Sequence, residues 1–140
     1  MVQLIAGQNG KGKTRAILTK ANEEMKTARG SIVFIDKNNE HMYELSNRIR
    51  MIDVSVFSIS NSDEFSGFVS GIISQDHDIE TIYIDRFIEC SSSKNAASVA
   101  ELLLKFDRIS SVFDINLVIS VSLDKEELPE SLQDKVLLAL

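Results

Sequence analysis

The sequence predicts a three-layer α/β/α sandwich built on a mainly parallel central sheet of five or six strands. The first observation behind this prediction is that short apolar runs alternate along the chain with segments of helical periodicity. The second is the length, because 140 residues suffice for one domain with a buried core. The third is the scarcity of interruptions, since the chain has six glycines, one proline and no repeat or linker. We therefore expect a single domain over residues 1–140.

The first part of the chain predicts two strand and helix pairs. The apolar run at 2–6 is typical of a buried strand, and apolar residues recur at helical spacing over 13–28. Gly30 suits the C-terminal cap of that helix. The apolar run at 31–36 predicts a second strand, and helical spacing predicts a second helix over about 39–50.

The middle of the chain predicts an edge strand, a helix and a buried strand. Residues 54–59 predict the third strand, at a sheet edge. The helix that follows starts at Asn61 and Glu64, a pair similar to a capping box, and carries a continuous apolar stripe. The run at 81–85 predicts a buried strand that ends in a carboxylate.

The last part of the chain predicts a helix, a strand and a mixed tail. The serines at 91–93 offer an N-cap for a helix that ends near Ser110, and residues 115–121 form an apolar strand. Pro129 can open a helix, whereas the apolar run at 136–140 is compatible with a last strand. We expect a short turn of helix followed by that strand, although the sequence leaves both structures open for the final residues.

Composition narrows the class of protein. A hydrophobic fraction of 44% and a charged fraction of 26% are typical of a soluble globular protein. The sequence has no apolar run approaching the roughly 20 residues that span a bilayer. The first residues resemble a strand rather than a signal peptide, and the single Cys90 cannot form an internal disulfide. We therefore expect a cytoplasmic protein without a membrane segment.

Charge is unevenly distributed along the chain. Residues 1–50 hold nine Lys or Arg and five Asp or Glu, a balance of +4, within a chain of net charge −6. Residues 51–140 hold six and sixteen, a balance of −10. We expect a bound anion to lie near the basic half. The acidic whole argues against a broad nucleic-acid surface, which requires many basic side chains.

The most specific motif is a glycine-rich segment at residues 7–14. It fits G-x-x-x-x-G-K-[ST] at every fixed position, between a predicted strand and a predicted helix. Such a loop wraps a phosphate chain with backbone N–H groups, and the following helix directs its positive end at the same oxygens. Lys13 would reach the β- and γ-phosphates, and the Thr14 hydroxyl would hold Mg²⁺. The predicted nucleotide-binding residues are Gly7, Gln8, Asn9, Gly10, Lys11, Gly12, Lys13, Thr14 and Arg15.

Two carboxylates follow predicted strands at the edge where open α/β sheets bind ligands. Asp85 can face Mg²⁺ through water, which makes it the second predicted metal residue besides Thr14. The alternative is that Asp85 only caps the following loop. Asp36 lies at the same edge and is a second candidate for a functional carboxylate. The alternative is that Asp36 only forms a turn in the sequence Asp-Lys-Asn-Asn.

On these motifs the chain resembles the P-loop NTPases, and among them the RecA-type core. The resemblance extends over nearly the whole chain, from the phosphate loop through the strands ending at Asp36 and Asp85 to the strand ending at 120–122. It implies that the strand at 82–85 is the Walker B strand and that Ser120 or Ser122 senses the γ-phosphate. We include Ser122 among the nucleotide-binding residues. The resemblance also implies ATP and Mg²⁺ as the cofactors, and the preference for ATP over GTP rests on it alone.

One part of the RecA pattern is missing. RecA-like enzymes place a water-orienting glutamate beside the Walker B aspartate or just beyond the second strand. Here Arg86 follows Asp85, and the nearest substitutes are Glu40 and Glu89, for which a solvated surface role is the alternative. The catalytic candidates are therefore Lys13, Asp85, Glu40 and Glu89.

The resemblance to the RecA-type core, together with the missing water-orienting glutamate, favours an Mg²⁺-dependent ATP-binding protein with slow or partner-stimulated hydrolysis. A missing charge partner slows turnover more than binding, because this chemistry depends on positioning and charge stabilisation. A homo-oligomer, or a protein partner that supplies an arginine in trans, would complete such a site. The alternatives are a nucleotide-sensing interaction module that does not hydrolyse ATP and, with little chain left for an acceptor pocket, a small-molecule kinase.

Overall fold

Six parallel strands form one sheet in a computed structural model that describes residues 1–140. The strands are β1 (Val2–Ala6), β2 (Ser31–Asp36), β3 (Arg50–Asp53), β4 (Ile79–Ile84), β5 (Asn116–Val121) and β6 (Val136–Ala139). Their order across the sheet is β3-β2-β4-β5-β1-β6. The helices are α1 (Lys13–Met25), α2 (Ser62–Gln75), α3 (Phe87–Ser91), α4 (Ala96–Phe113) and α5 (Glu130–Gln133).

Helices cover both faces of the sheet, which confirms the predicted α/β/α sandwich. Successive strand residues point to opposite faces, so that Leu4 belongs to one apolar cluster and Ile5 to the other. The larger cluster holds 25 buried residues and joins the sheet to α2, α3 and α4. The smaller holds 11 and joins the sheet to α1 and the segment around Leu45. No helix of the structure combines the length and apolar character needed to cross a membrane.

The topology brings two distant segments together. One strand, β5, lies between β1 and β4, and it pairs with both in parallel. Because all strands are parallel, their carboxyl ends meet at one edge of the sheet. The loop after β1 and the residues after β4 and β5 therefore converge there.

The predicted helix over 39–50 is wrong. The structure has a single 3-10 turn at Met42–Glu44, followed by irregular chain. Leu45 and Ile49 are buried, which explains their helical spacing, but the Asn22 side chain satisfies backbone groups on either side of Leu45. Its amide donates to the Glu44 carbonyl, and its carbonyl accepts from the Ser46 amide, both at 2.8 Å. Helical hydrogen bonds are therefore not needed to bury this segment.

Several predicted boundaries also need correction. The third strand lies at the sheet edge as expected, but it is Arg50–Asp53, and Val54–Val56 forms a 3-10 turn. The helix predicted to start at 91–93 is α4, which begins at Ala96, and the unpredicted helix α3 precedes it, with Ser92, whose φ is 54°, as its C-cap. Asn95, not a serine, caps α4, in a capping box with Ser98.

Two further expectations have different outcomes. The tail forms a short helix and a strand, as expected, because β6 pairs with β1. Gly30 does not cap α1, which ends at Met25 with Lys26 as its C-cap. A Cβ atom on Gly30 would lie 2.1 Å from the Asp78 carbonyl oxygen, so glycine is needed there for close approach of two backbones.

Candidate functional site

The glycine-rich loop connects β1 directly to α1 at the carboxyl edge of the sheet. Its three glycines have positive φ angles of 155° at Gly7, 82° at Gly10 and 92° at Gly12. Gly12 is the N-cap of α1 and accepts the Ala16 amide at its carbonyl, but no side chain caps the helix. The unpaired N–H groups of the first turn are thus available to an anion at this end.

Lys13 reaches back across the loop. It is 7% exposed, and its Nζ donates a 2.9 Å hydrogen bond to the Gln8 carbonyl. Burial lowers the pKa of Lys13, while the charges of Asp85 and Glu89 oppose that shift. The ammonium group therefore lies inside the loop at the position where a phosphate chain would be wrapped.

Thr14 and Asp85 meet at the mouth of α1. The Thr14 Oγ1 donates to Asp85 Oδ2 at 2.8 Å, although the residues are 71 positions apart. The Asp85 carboxylate is fully buried and accepts a second hydrogen bond, at Oδ1, from the Ser120 hydroxyl. Two hydroxyls from different elements therefore hold this carboxylate in one orientation.

These atoms fit a magnesium ion. Mg²⁺ prefers hard oxygen ligands, usually one or two protein groups together with water and phosphate oxygens. While the Thr14 hydroxyl donates its proton to Asp85, its lone pairs are free for a cation. The donor set of Thr14 and Asp85 thus has the chemistry that a magnesium site at this loop requires.

A polar cavity of about 330 Å³ lies over the loop. It has no hydrophobic lining residue, which suits a phosphate chain rather than an apolar ligand. The lining consists of Asn9, Gly10, Gly12, Lys13, Thr14, Asp85, Arg86 and Ser122.

Other predicted nucleotide-binding residues lie around this cavity without lining it. The Gln8 side chain donates to Glu127 at 3.1 Å, and Lys11 is exposed. Arg15 is also exposed and lines a neighbouring cavity of about 380 Å³, which it shares with Thr14. Their predicted contacts with nucleotide stay predictions.

The two candidate serines at the carboxyl end of β5, Ser120 within the strand and Ser122 just after it, have different positions. Ser122 lines the cavity, and its hydroxyl donates to Asn9 Oδ1 at 2.8 Å. Ser120 is buried beneath the cavity, where it accepts the Arg86 amide at 2.8 Å and donates to Asp85. Of the two, Ser122 lies where a bound phosphate can be contacted, whereas Ser120 orients Asp85.

Arg86 occupies the place where RecA-like enzymes often carry a glutamate, and it forms a network of its own. Its Nε and Nη2 atoms bind the two Asp36 oxygens at 2.9 and 2.8 Å. Its Nη1 binds Glu40 at 2.6 Å, and Nη2 also donates to Asn38 at 3.2 Å. Arg86 thus has carboxylate partners within its own chain and does not project freely toward a neighbouring subunit.

The charges of this network are mutually dependent. Burial lowers the pKa of Arg86, but hydrogen bonds to Asp36 and Glu40 outweigh it and the net shift is upward. Burial raises the pKa of Asp36, and the hydrogen bond from Arg86 opposes that shift. The same arginine lowers the pKa of Glu40. Arg86 therefore keeps Glu40 ionised and counterbalances a carboxylate that has no access to water.

The two predicted water-orienting glutamates differ in their surroundings. Glu40 lies beyond β2, as expected, but its carboxylate is bound to Arg86. Glu89 lies on α3 and is exposed, close enough to Lys13 to affect its pKa. Both remain candidates, and neither lines the polar cavity.

The sequence did not identify Asp36 and Glu40 as the ion-pair partners of Arg86. The missed signal is the pattern itself, in which an arginine directly follows the strand-terminal Asp85 while Asp36 terminates the adjacent strand β2. Because parallel strands end at one edge, the pairing of β2 with β4 brings this arginine close to both carboxylates, and the sequence order does not specify that pairing. Asn38 had no comparable signal, since its contact depends on how the loop after β2 folds.

Comparison with known proteins supports the fold. No protein-family model matches the sequence, and no curated protein matches it. Among solved structures, the chain is similar to the flagellar accessory protein FlaH from Methanocaldococcus jannaschii, with a TM-score of 0.57 and 17% sequence identity. The match covers 93% of this chain and 63% of the FlaH chain. The fold is therefore a RecA-like α/β/α fold, and the chain spans less than two thirds of the FlaH chain.

Proposed function

We propose that this protein binds ATP with Mg²⁺ at the glycine-rich loop and hydrolyses it slowly, or when a partner stimulates it. The observation that carries the proposal is the 2.8 Å hydrogen bond between Thr14 Oγ1 and Asp85 Oδ2 at the edge of a cavity that has no hydrophobic lining residue. A glycine-rich turn that matched the motif by chance would not require a buried carboxylate from another strand to meet its threonine.

The chain's own residues divide the work of binding. Loop amides and the start of α1 surround the phosphates, and Lys13 exchanges its contact with the Gln8 carbonyl for phosphate oxygens. Thr14 and Asp85 hold the magnesium ion, which when bound neutralises phosphate charge. Ser120 keeps the Asp85 carboxylate in place.

Slow hydrolysis follows from the contacts and positions of the two candidate glutamates, Glu40 and Glu89. A carboxylate orients water only if one of its oxygens reaches that water. Glu40 Oε1 is bound to Arg86, and neither Glu40 nor Glu89 lines the polar cavity. Turnover then depends on a rearrangement near Glu40 or on a group from a partner, either another copy of the chain or a different protein.

The second candidate function is a nucleotide-sensing module that does not hydrolyse ATP. The observation that favours it is the same pair of Arg86 and Glu40, because a permanently bound Glu40 would leave the triphosphate intact. The phosphate site would be unchanged, so binding alone does not separate the two candidates.

The test is a calorimetric titration with Mg·ATP, Mg·GTP and Mg·ADP, combined with phosphate release from the same samples. We expect micromolar binding of Mg·ATP that is lost in Lys13→Ala and retained in Lys105→Ala, which removes an exposed lysine of α4 outside the loop. Phosphate release above that of Lys13→Ala identifies an ATPase, and its absence identifies the sensor. Absence of binding across a range of Mg²⁺ concentrations contradicts both candidates.

A further inference from the structure

Arg86 is placed to contact a bound phosphate chain as well as its carboxylate partners. It lines the polar cavity together with Lys13 and Thr14. Its backbone is held in the left-handed region, with φ 54°, and its amide is bound to Ser120. The side chain therefore starts from a fixed point between the Asp85 carboxylate and the loop after β2.

The contacts of its guanidinium with Asp36 and Glu40 are unequal. The Asp36 side chain is 0% exposed, receives two parallel hydrogen bonds from Arg86 and accepts the Lys37 amide at 2.7 Å. Breaking that pair would leave a buried carboxylate without its counter-ion, at a large cost. The Glu40 side chain is 54% exposed, so water can solvate it when Nη1 leaves. One arm of the guanidinium is thus fixed, and the other is exchangeable.

A terminal phosphate is a strong competitor for the exchangeable arm. Guanidinium groups bind phosphate oxygens with charge-assisted hydrogen bonds, and a phosphate carries more charge than one carboxylate. A nucleoside diphosphate at the same loop lacks that terminal group. Competition for Nη1 therefore depends on how many phosphates the nucleotide has.

We infer that Arg86 distinguishes nucleoside triphosphate from diphosphate by exchanging Glu40 for the terminal phosphate, while Asp36 keeps its hold on the guanidinium. The inference rests on the proposed binding of nucleotide at the loop. It adds a consequence for turnover: triphosphate binding releases the Glu40 carboxylate beside the polar cavity. Glu40 acts as a competitor in the empty site and becomes available to orient water only in the triphosphate complex.

The decisive variant is Glu40→Gln, because competition predicts that removing a charged partner strengthens binding. We expect affinity for the β,γ-imido analogue of ATP to rise about threefold, the scale of a half-exposed ion pair, with affinity for ADP unchanged. Both nucleotides are titrated with Mg²⁺ by calorimetry. Glu101→Gln is the matched control, since it removes the same charge from an exposed position on α4. A ratio of triphosphate to diphosphate affinity equal to that of Glu101→Gln, or lower than that of the wild type, overturns the inference.

Arg86→Lys tests the other side of the exchange. A lysine retains a cation for Asp36 but lacks the planar fork that serves two partners at once. We expect a fall of about tenfold in triphosphate affinity and little change for ADP, with thermal unfolding recorded to verify the fold. An unchanged affinity ratio in a folded variant contradicts the inference while leaving the phosphate site intact. If the wild type binds neither nucleotide, the proposed function fails and the inference fails with it.

Discussion

The Ser120 hydroxyl lies between Asp85 and the Arg86 amide, donating to the Asp85 carboxylate and accepting the amide at 2.8 Å. The Asp85 carboxylate needs a donor and the Arg86 amide needs an acceptor, and a single hydroxyl meets both needs. Ser120 is fully buried, so water does not replace it. The orientation of the proposed magnesium ligand thus depends on a side chain that does not line the cavity.

Ser120→Ala should therefore reduce both stability and nucleotide binding. Losing the hydroxyl leaves a buried donor and a buried acceptor unpaired, which costs about 1–3 kcal/mol for each group. Thermal unfolding measures that cost, and calorimetry with Mg·ATP measures the loss of binding. Ser122→Ala is the control, since its hydroxyl binds only Asn9 at a more exposed position and should leave the unfolding temperature nearly unchanged.

Thr14 should show a requirement for its hydroxyl rather than for its size. Thr14→Val keeps the shape but removes the donor to Asp85 and the proposed metal ligand, whereas Thr14→Ser keeps the oxygen. We expect Thr14→Val to lose the Mg²⁺-dependent part of nucleotide affinity, about tenfold or more, and Thr14→Ser to retain most of it. The measurement is the ratio of ATP affinities with Mg²⁺ and with EDTA. Equal ratios in Thr14→Val and the wild type would exclude Thr14 as a metal ligand.

Much of the fold is predictable because its signals are local. β1, β2, β4 and β5 are mainly apolar runs, which is what burial on both faces of a parallel sheet requires. The segment after β2 shows where local signals fail. Leu45 and Ile49 have helical spacing, but hydrogen bonds from Asn22 of α1 decide the backbone there. That information lies more than twenty residues away and is not contained in any periodicity.

The candidate site also has a part that local sequence signals predict and a part that they do not. The glycine-rich loop is contiguous, so its position between a strand and a helix could be predicted from spacing alone. The partners of Arg86 could not, because Asp36 is 50 residues away and Glu40 is 46 residues away. Their meeting depends on the pairing of β2 with β4, which sequence order does not specify.

Titration of Tyr83 should lower the free energy of unfolding at alkaline pH. Burial raises its pKa, and a hydrogen bond to Glu24 raises it further. A raised pKa means that the unfolded chain releases the phenolic proton first, so this contribution is complete below about pH 10 and falls as pH rises above it. Tyr83→Phe removes the titrating group, and its free energy of unfolding should depend less on pH above 10 than that of the wild type. Denaturant unfolding at pH 8 and at pH 10.5 measures the difference, and identical slopes would contradict it.

Titration of Cys90 should also lower the free energy of unfolding as pH rises, but from a lower pH than titration of Tyr83. Burial raises the pKa of its thiol from an ordinary value of 9.0, and the nearby Asp36 and Asp85 raise it further. The stabilising contribution is present below about pH 9 and falls as pH rises through and above it. In Cys90→Ala the decline between pH 8 and pH 10 should be smaller than in the wild type, as followed by denaturant unfolding. The thiol also donates to the Asp85 carbonyl at 3.2 Å, so comparing pH slopes, rather than absolute stabilities, separates titration from the lost contact.

Gly30 and Gly71 should respond to alanine with opposite signs. A Cβ on Gly30 would meet the Asp78 carbonyl oxygen at 2.1 Å, in a segment where the Gly30 amide is also bound to Glu80 at 2.7 Å. Two backbones must separate to admit the methyl group, which should cost about 1–3 kcal/mol. Gly71 lies on the exposed face of α2 with nothing within 4 Å of its Cβ position, and alanine there should add about 0.5–1 kcal/mol through helix propensity. In thermal unfolding, the midpoint temperature should be lower than that of the wild type for Gly30→Ala and higher for Gly71→Ala. A Gly30→Ala variant as stable as the wild type would mean that the backbones at Gly30 and Asp78 can separate without cost, and that Gly30 serves another purpose.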